Sequence, residues 1–90
     1  MTSIRTAVDQ AMDAYLDWRE ECIAVSESYR RWAAAEGADA ALAFSAHAAA
    51  LDREQRASEV YAGLIRCVGD LVETDRRVGT TLVGSGTWRR

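Results

Sequence analysis

Residues 4–32 read IRTAVDQAMDAYLDWREECIAVSESYRRW. Within this stretch Ile4, Val8, Ala11, Tyr15, Trp18, Cys22, Val25, Tyr29 and Trp32 recur at alternating steps of four and three. A period of about 3.5 residues keeps one stripe turned toward a second helix, so the stretch predicts a long helix packed against another. Thr2 or Ser3 supplies its N-cap, and the pattern continues to about residue 35. With Tyr15 at heptad position a, Asp13, Glu20 and Glu27 all fall at f, on the far side. Met12, Leu16 and Ile23 sit beside the stripe and widen the apolar face to about 160°, at about 100° per residue. One neighbouring helix covers less than that.

Glu36-Gly37-Ala38-Asp39 interrupts the pattern, and a second helical run follows. Gly37 suits the C′ position that ends a helix, and Asp39 suits the N-cap of the next. So short a connection permits only an antiparallel hairpin. The expected layout is one domain, residues 1–79, with helix 1 over about 3–35, a turn at 36–39 and helix 2 over about 40–78. Helix 2 ends at Gly79 with Arg76 and Arg77 in its last turn, where the helix dipole favours cations. Residues 80–90 read as a flexible tail. Trp88 is either part of that frayed end or docks on the hairpin or a partner.

A turn at this place sets residues opposite one another where their numbers sum to about 75. The expected hairpin seam is Val8, Tyr15, Trp18, Val25, Tyr29 and Trp32 against Ala43, Ala50, Ala57, Tyr61, Leu64 and Val68. Large then meets small, with Trp32 opposite Ala43, Trp18 opposite Ala57 and Ala11 opposite Leu64, as interdigitated layers require. Glu54 is the misfit on this stripe and needs solvent or an arginine. Gly63 and Gly69 mark close helix approach or weak points, at about 1 kcal/mol each relative to alanine.

A second apolar stripe lies outside the seam. Met12, Leu16 and Ile23 on helix 1 and Phe44, Leu51, Ile65 and Val72 on helix 2 form a partner or dimer interface in this reading, because a lone hairpin leaves them wet. The expected fold is therefore all-α, a coiled-coil-like two-helix hairpin that completes a four-helix bundle by dimerising.

Composition agrees with helices. Proline is absent and 49% of the 90 residues are hydrophobic, with alanine abundant. Every basic residue is arginine and asparagine is missing, a bias of GC-rich coding. A net charge of −3 with mixed signs lacks the basic footprint of nucleic-acid binding. The longest uncharged stretch, Ala40 to Leu51, is too short and too weakly apolar to span a bilayer. No signal-peptide core follows Met1, so a cytoplasmic protein is expected, with leaderless export left open.

No catalytic, cofactor or metal site is expected. The sole histidine, His47, faces Tyr29 across the seam without a nucleophile placed beside it. It reads as a structural or surface histidine, or as a pH-sensitive contact. A bundle metal centre needs Glu-x-x-His pairs, but Phe44 stands three residues before His47. Cys22 and Cys67 belong to no Cys-x-x-Cys motif, and the hairpin register holds them about 20 Å apart. No glycine-rich loop opens a helix to cradle phosphate. The pairs Tyr15-x-x-Trp18 and Tyr29-x-x-Trp32, two heptads apart, fill the core or anchor another protein.

The functional expectation is a small non-enzymatic interaction or scaffolding module, its partner being protein: itself, or an unidentified helical protein. The alternative is an exported protein. Size and two-helix layout look like the WXG100 family of secreted hairpins, which pair into four-helix bundles. That resemblance is architectural. The family carries Trp-x-Gly in its turn, whereas Trp32-Ala33-Ala34 precedes the turn here and Gly37 follows. Its Tyr-x-x-x-Asp/Glu secretion signal is not met by Tyr61, whose fourth following residue is Ile65.

Overall fold

Two helices account for nearly all of the structure. The computed structural model describes residues 3–83, with side-chain surroundings through residue 78. Helix α1 spans Ile4–Ala34 and helix α2 spans Ala38–Val83. They lie against each other along the whole of α1 as an antiparallel hairpin, and no strand occurs among the described residues.

Each boundary has a local cause. Ser3 is extended, with φ −78° and ψ 161°, and its Oγ accepts from the Thr6 backbone N–H at 3.1 Å. That satisfies one of the orphan donors at the start of α1. At the other end Ala35 turns extended, with ψ 149°, and its N–H reaches the Trp32 carbonyl at 3.1 Å. Gly37 takes φ +62°, in the left-handed region where a Cβ is penalised. It stands directly before α2 and not at the C′ position of α1. The Asp39 and Ala40 N–H groups bond back to the Glu36 and Gly37 carbonyls at 3.2 and 3.1 Å. Asp39 therefore lies inside the first turn of α2, where its carboxylate complements the helix dipole.

The far end of α2 departs from expectation. The helix continues through Gly79 to Val83, so Arg76 and Arg77 are interior and both pair with Glu73. A helix already running needs only about 1 kcal/mol to absorb a glycine, less than is needed to stop it there. Trp88 lies outside the described residues. Because α1 has 31 residues and α2 has 46, α2 projects beyond the start of α1 from about Val72 onward. The molecule measures 74 × 28 × 13 Å, a single layer of helices.

Contacts between the helices give the register. Glu21–Arg53, Ser28–His47, Tyr15–Tyr61 and Trp32–Phe44 pair residues whose numbers sum to 74–76. The seam on α2 follows its heptad, with Ala43, His47, Ala50, Glu54, Ala57, Tyr61, Leu64, Val68 and Leu71 all buried or half-buried.

On α1 the closest packing falls one position earlier than the aromatic stripe suggests. The buried residues are Ala7, Ala11, Ala14 and Ser28 on α1 and Ala50 on α2. Val8, Tyr15 and Tyr29 are exposed, at 39%, 36% and 55%. Steps of four and three run equally well through Ala7, Ala11, Ala14, Trp18, Glu21, Val25, Ser28 and Trp32. Small side chains allow the two backbones to approach, and the large rings are displaced to one side, where they pack on one another. Trp18 stacks on Tyr61 at 5.7 Å and 14°, and Trp32 on His47 at 5.6 Å and 23°.

Neither interior glycine is required by that approach. A Cβ built on Gly63 would meet only the tip of Arg66 at 3.9 Å, and one on Gly69 would meet nothing within 4 Å.

Candidate interaction surface

The direction of each helix face follows from the seam. Taking about 100° per residue from the buried stripe of α1, Val8, Tyr15, Cys22 and Tyr29 come next on one side. Met12 and Ser26 lie beyond them, and Leu16 and Ile23 at the outer edge. On the opposite side the sequence runs through Gln10, Asp17 and Arg31 to Asp13, Glu20 and Glu27. On α2, Phe44, Leu51, Ser58, Ile65 and Val72 flank the seam on one side, and Arg53, Val60 and Cys67 on the other.

Contacts across the hairpin show which flanks share a face. Trp32 packs on Phe44 at 5.1 Å, Tyr15 on Tyr61 at 5.5 Å and Tyr29 on His47 at 5.7 Å. Arg53 bonds Glu21 at 3.2 Å on the reverse side. One broad face of the hairpin is therefore apolar from both helices, and the other carries the α1 carboxylates.

The seven residues read as an interface are all exposed, from 43% at Val72 to 57% at Met12 and Leu16. Met12, Phe44, Leu51, Ile65 and Val72 share the apolar face. Leu16 and Ile23 sit farther from α2, on the outer edge, because the seam of α1 runs through its alanines. Val8, Tyr15 and Tyr29, read as seam, contribute to this face instead. Leu42, Val60 and Val78 are also exposed, at 73%, 57% and 51%. Leu42 and Val60 stand outside both heptad stripes, whereas Val78 continues the seam heptad of α2 beyond the start of α1, where no α1 residue covers it.

Two polar contacts cross the seam. The Trp18 indole Nε1–H donates to Glu54 Oε2 at 2.7 Å, so a tryptophan, and not an arginine, satisfies the misfit carboxylate. The Ser28 hydroxyl lies 3.0 Å from the Val25 carbonyl and 2.8 Å from His47 Nδ1. It has one proton. Donated to the carbonyl, that proton leaves Oγ free to accept from Nδ1–H of His47, and both contacts are satisfied. Ser28 is 5% exposed, so this serine–histidine contact offers no substrate a path to its oxygen.

Among the described residues no group of three or more His, Cys, Asp or Glu side chains is arranged to hold a metal. Cys22 and Cys67 are free thiols, Cys22 half-buried beside the apolar face and Cys67 exposed on the reverse one. No described helix is long and apolar enough to cross a membrane. Comparison with protein-family models, with curated proteins and with solved structures gives no significant match.

Proposed function

We propose that this chain is a non-enzymatic protein–protein interaction or scaffolding module that works through the apolar face of its hairpin. One observation carries the reading. Every fully buried residue among those described is an alanine or a serine, while thirteen large apolar side chains are exposed and most of them share one side. Hairpins of this size gain stability by burying large side chains, at about 25 cal/mol per Å². Here that gain is left for a partner, and apolar patches of such extent usually mark interfaces.

A photo-crosslinking amino acid introduced at Leu51 tests the reading in the native cell. Illumination should couple the chain to protein, while the same group at Val60, which is more exposed and lies on the reverse face, should give little. Absence of any protein adduct at Leu51, with the chain expressed and helical, would refute an interaction module.

A further inference from the structure

We infer that the occupant of the apolar face is a second copy of this chain, packed face to face and turned end for end. This rests on the interaction reading above and names the partner. Three features of the hairpin support it.

The first is self-complementarity. The exposed flank of α2 is a second heptad, in which Phe44, Leu51, Ser58, Ile65 and Val72 alternate with Ala48, Gln55, Ala62 and Gly69. Except at Ser58 and Gln55, which face each other when the row is reversed, large residues form one row and small ones the next, the ridge and groove that a like helix fits. Reversed on itself, the row places Phe44 against the second copy's Gly69, Leu51 against its Ala62 and Ile65 against its Ala48. Gly69 has open space around its missing Cβ, so packing within the hairpin gives no reason for a glycine there. An incoming phenylalanine ring does.

The second is extent. Val8, Met12, Tyr15, Tyr29, Phe44, Leu51, Ile65 and Val72 are between 36% and 57% exposed. Together they present about 700 Å² per copy, close to the roughly 800 Å² per partner of a standard interface. Few charges interrupt the face. Arg5 and Arg19 lie on it, with Asp9, Asp52 and Glu59 along its borders. The reverse face carries Asp13, Asp17, Glu20 and Glu27 beside Arg31, Arg53 and Arg56, a charged surface that is costly to bury against its own copy.

The third is length. Residues of α2 beyond the start of α1 have no neighbour in their own hairpin. A copy aligned with its turn at the same end leaves both projections bare. A copy turned end for end lays the start of its own α2 along residues 72–75, covering Val72.

Sedimentation and a distance measurement together test this on the full chain. Wild type at tens of micromolar should sediment as a dimer whose melting temperature rises with concentration. Ile65→Glu should weaken the dimer by at least about 100-fold, since it buries a carboxylate without a partner, whereas Val60→Glu should leave it intact. A spin label on Glu36→Cys, with Cys22→Ser and Cys67→Ser, should report about 60 Å between the two turns at 1.5 Å per residue. A separation under about 25 Å would place the turns together and overturn the arrangement. A dimer that survives Ile65→Glu would overturn the face. A monomer with a concentration-independent melt would overturn self-association, while an adduct to another protein at Leu51 would still uphold the interaction module.

Discussion

Ala14→Leu separates the packing seen here from the one the aromatic stripe suggests. Ala14 is 7% exposed, in the buried row of α1 with Ala7 and Ala11. Leucine adds three carbons where almost no surface is open, so the helices must part or the side chain must leave its rotamer. Overpacking of this kind costs about 1–3 kcal/mol. The change in helix propensity is a few tenths of a kcal/mol at most and cannot mask it. At about 4–8 °C per kcal/mol for a domain of this size, the melting temperature should fall by about 4–24 °C. Were Tyr15 and Tyr29 the seam, Ala14 would flank it at heptad position g with open space on one side, and leucine would be neutral or slightly stabilising. The sign alone decides. Far-UV circular dichroism melts at matched concentration measure it, with exposed Ala49→Leu as control, expected within about 0.5 kcal/mol of wild type. An Ala14→Leu protein that melts at or above the wild-type temperature would refute the alanine seam.

Three other outcomes follow from the same contacts. Glu54→Ala leaves the Trp18 indole N–H without its acceptor and should cost about 1–3 kcal/mol, whereas Glu54→Gln keeps an oxygen there and should stay within about 1 kcal/mol. Equal losses in chemical denaturation would show that the hydrogen bond contributes nothing. Ser28→Ala and His47→Ala, alone and combined, should be non-additive by about 0.5–1.5 kcal/mol, and strict additivity would deny the pair any coupling. Mild oxidation should yield no intramolecular Cys22–Cys67 disulfide, because the register separates the thiols by about 20 Å along the hairpin and places them on opposite faces. Mass spectrometry of the monomer would expose such a bond.

The hairpin was legible because its signals are local. Two long runs of 3.5-residue period, a break at residues 36–39 and the lack of proline fix two antiparallel helices and a register near 75. The seam of α2 could be read for the same reason: Ala43, Ala50, Ala57, Leu64 and their partners are the only continuous stripe on its inner side. On α1 two stripes compete. Hydrophobicity favours Val8, Tyr15 and Tyr29, while close approach favours Ala7, Ala14 and Ser28, and a hydrophobic scale does not weigh backbone proximity. Gly79 misled for a different reason. A glycine ends a helix only when the following chain gains by turning away, and here α2 continues.

The same choice of seam explains why polar pairs sit inside it. Alanines set the distance between helices but hardly specify their alignment, because small side chains make shallow knobs and holes. Alignment then falls to contacts that tolerate only one neighbour. Slide α2 by one heptad and Trp18 Nε1 would meet Tyr61 or His47 in place of Glu54. Ser28 would face Ala40 or Glu54 in place of His47, and Glu21 would face Ala46 or Val60 in place of Arg53. Every cross-helix hydrogen bond of the native alignment is lost together. The exposed pair contributes at most about 1 kcal/mol, but the half-buried Trp18–Glu54 and Ser28–His47 bonds leave desolvated groups unsatisfied when broken, at about 1–3 kcal/mol each. Polar groups in this seam therefore act against misalignment more than for stability. Three alanine-rich turns bring the helices together, three polar pairs fix where along their length, and the aromatic rings displaced by the alanines build the apolar side of the hairpin.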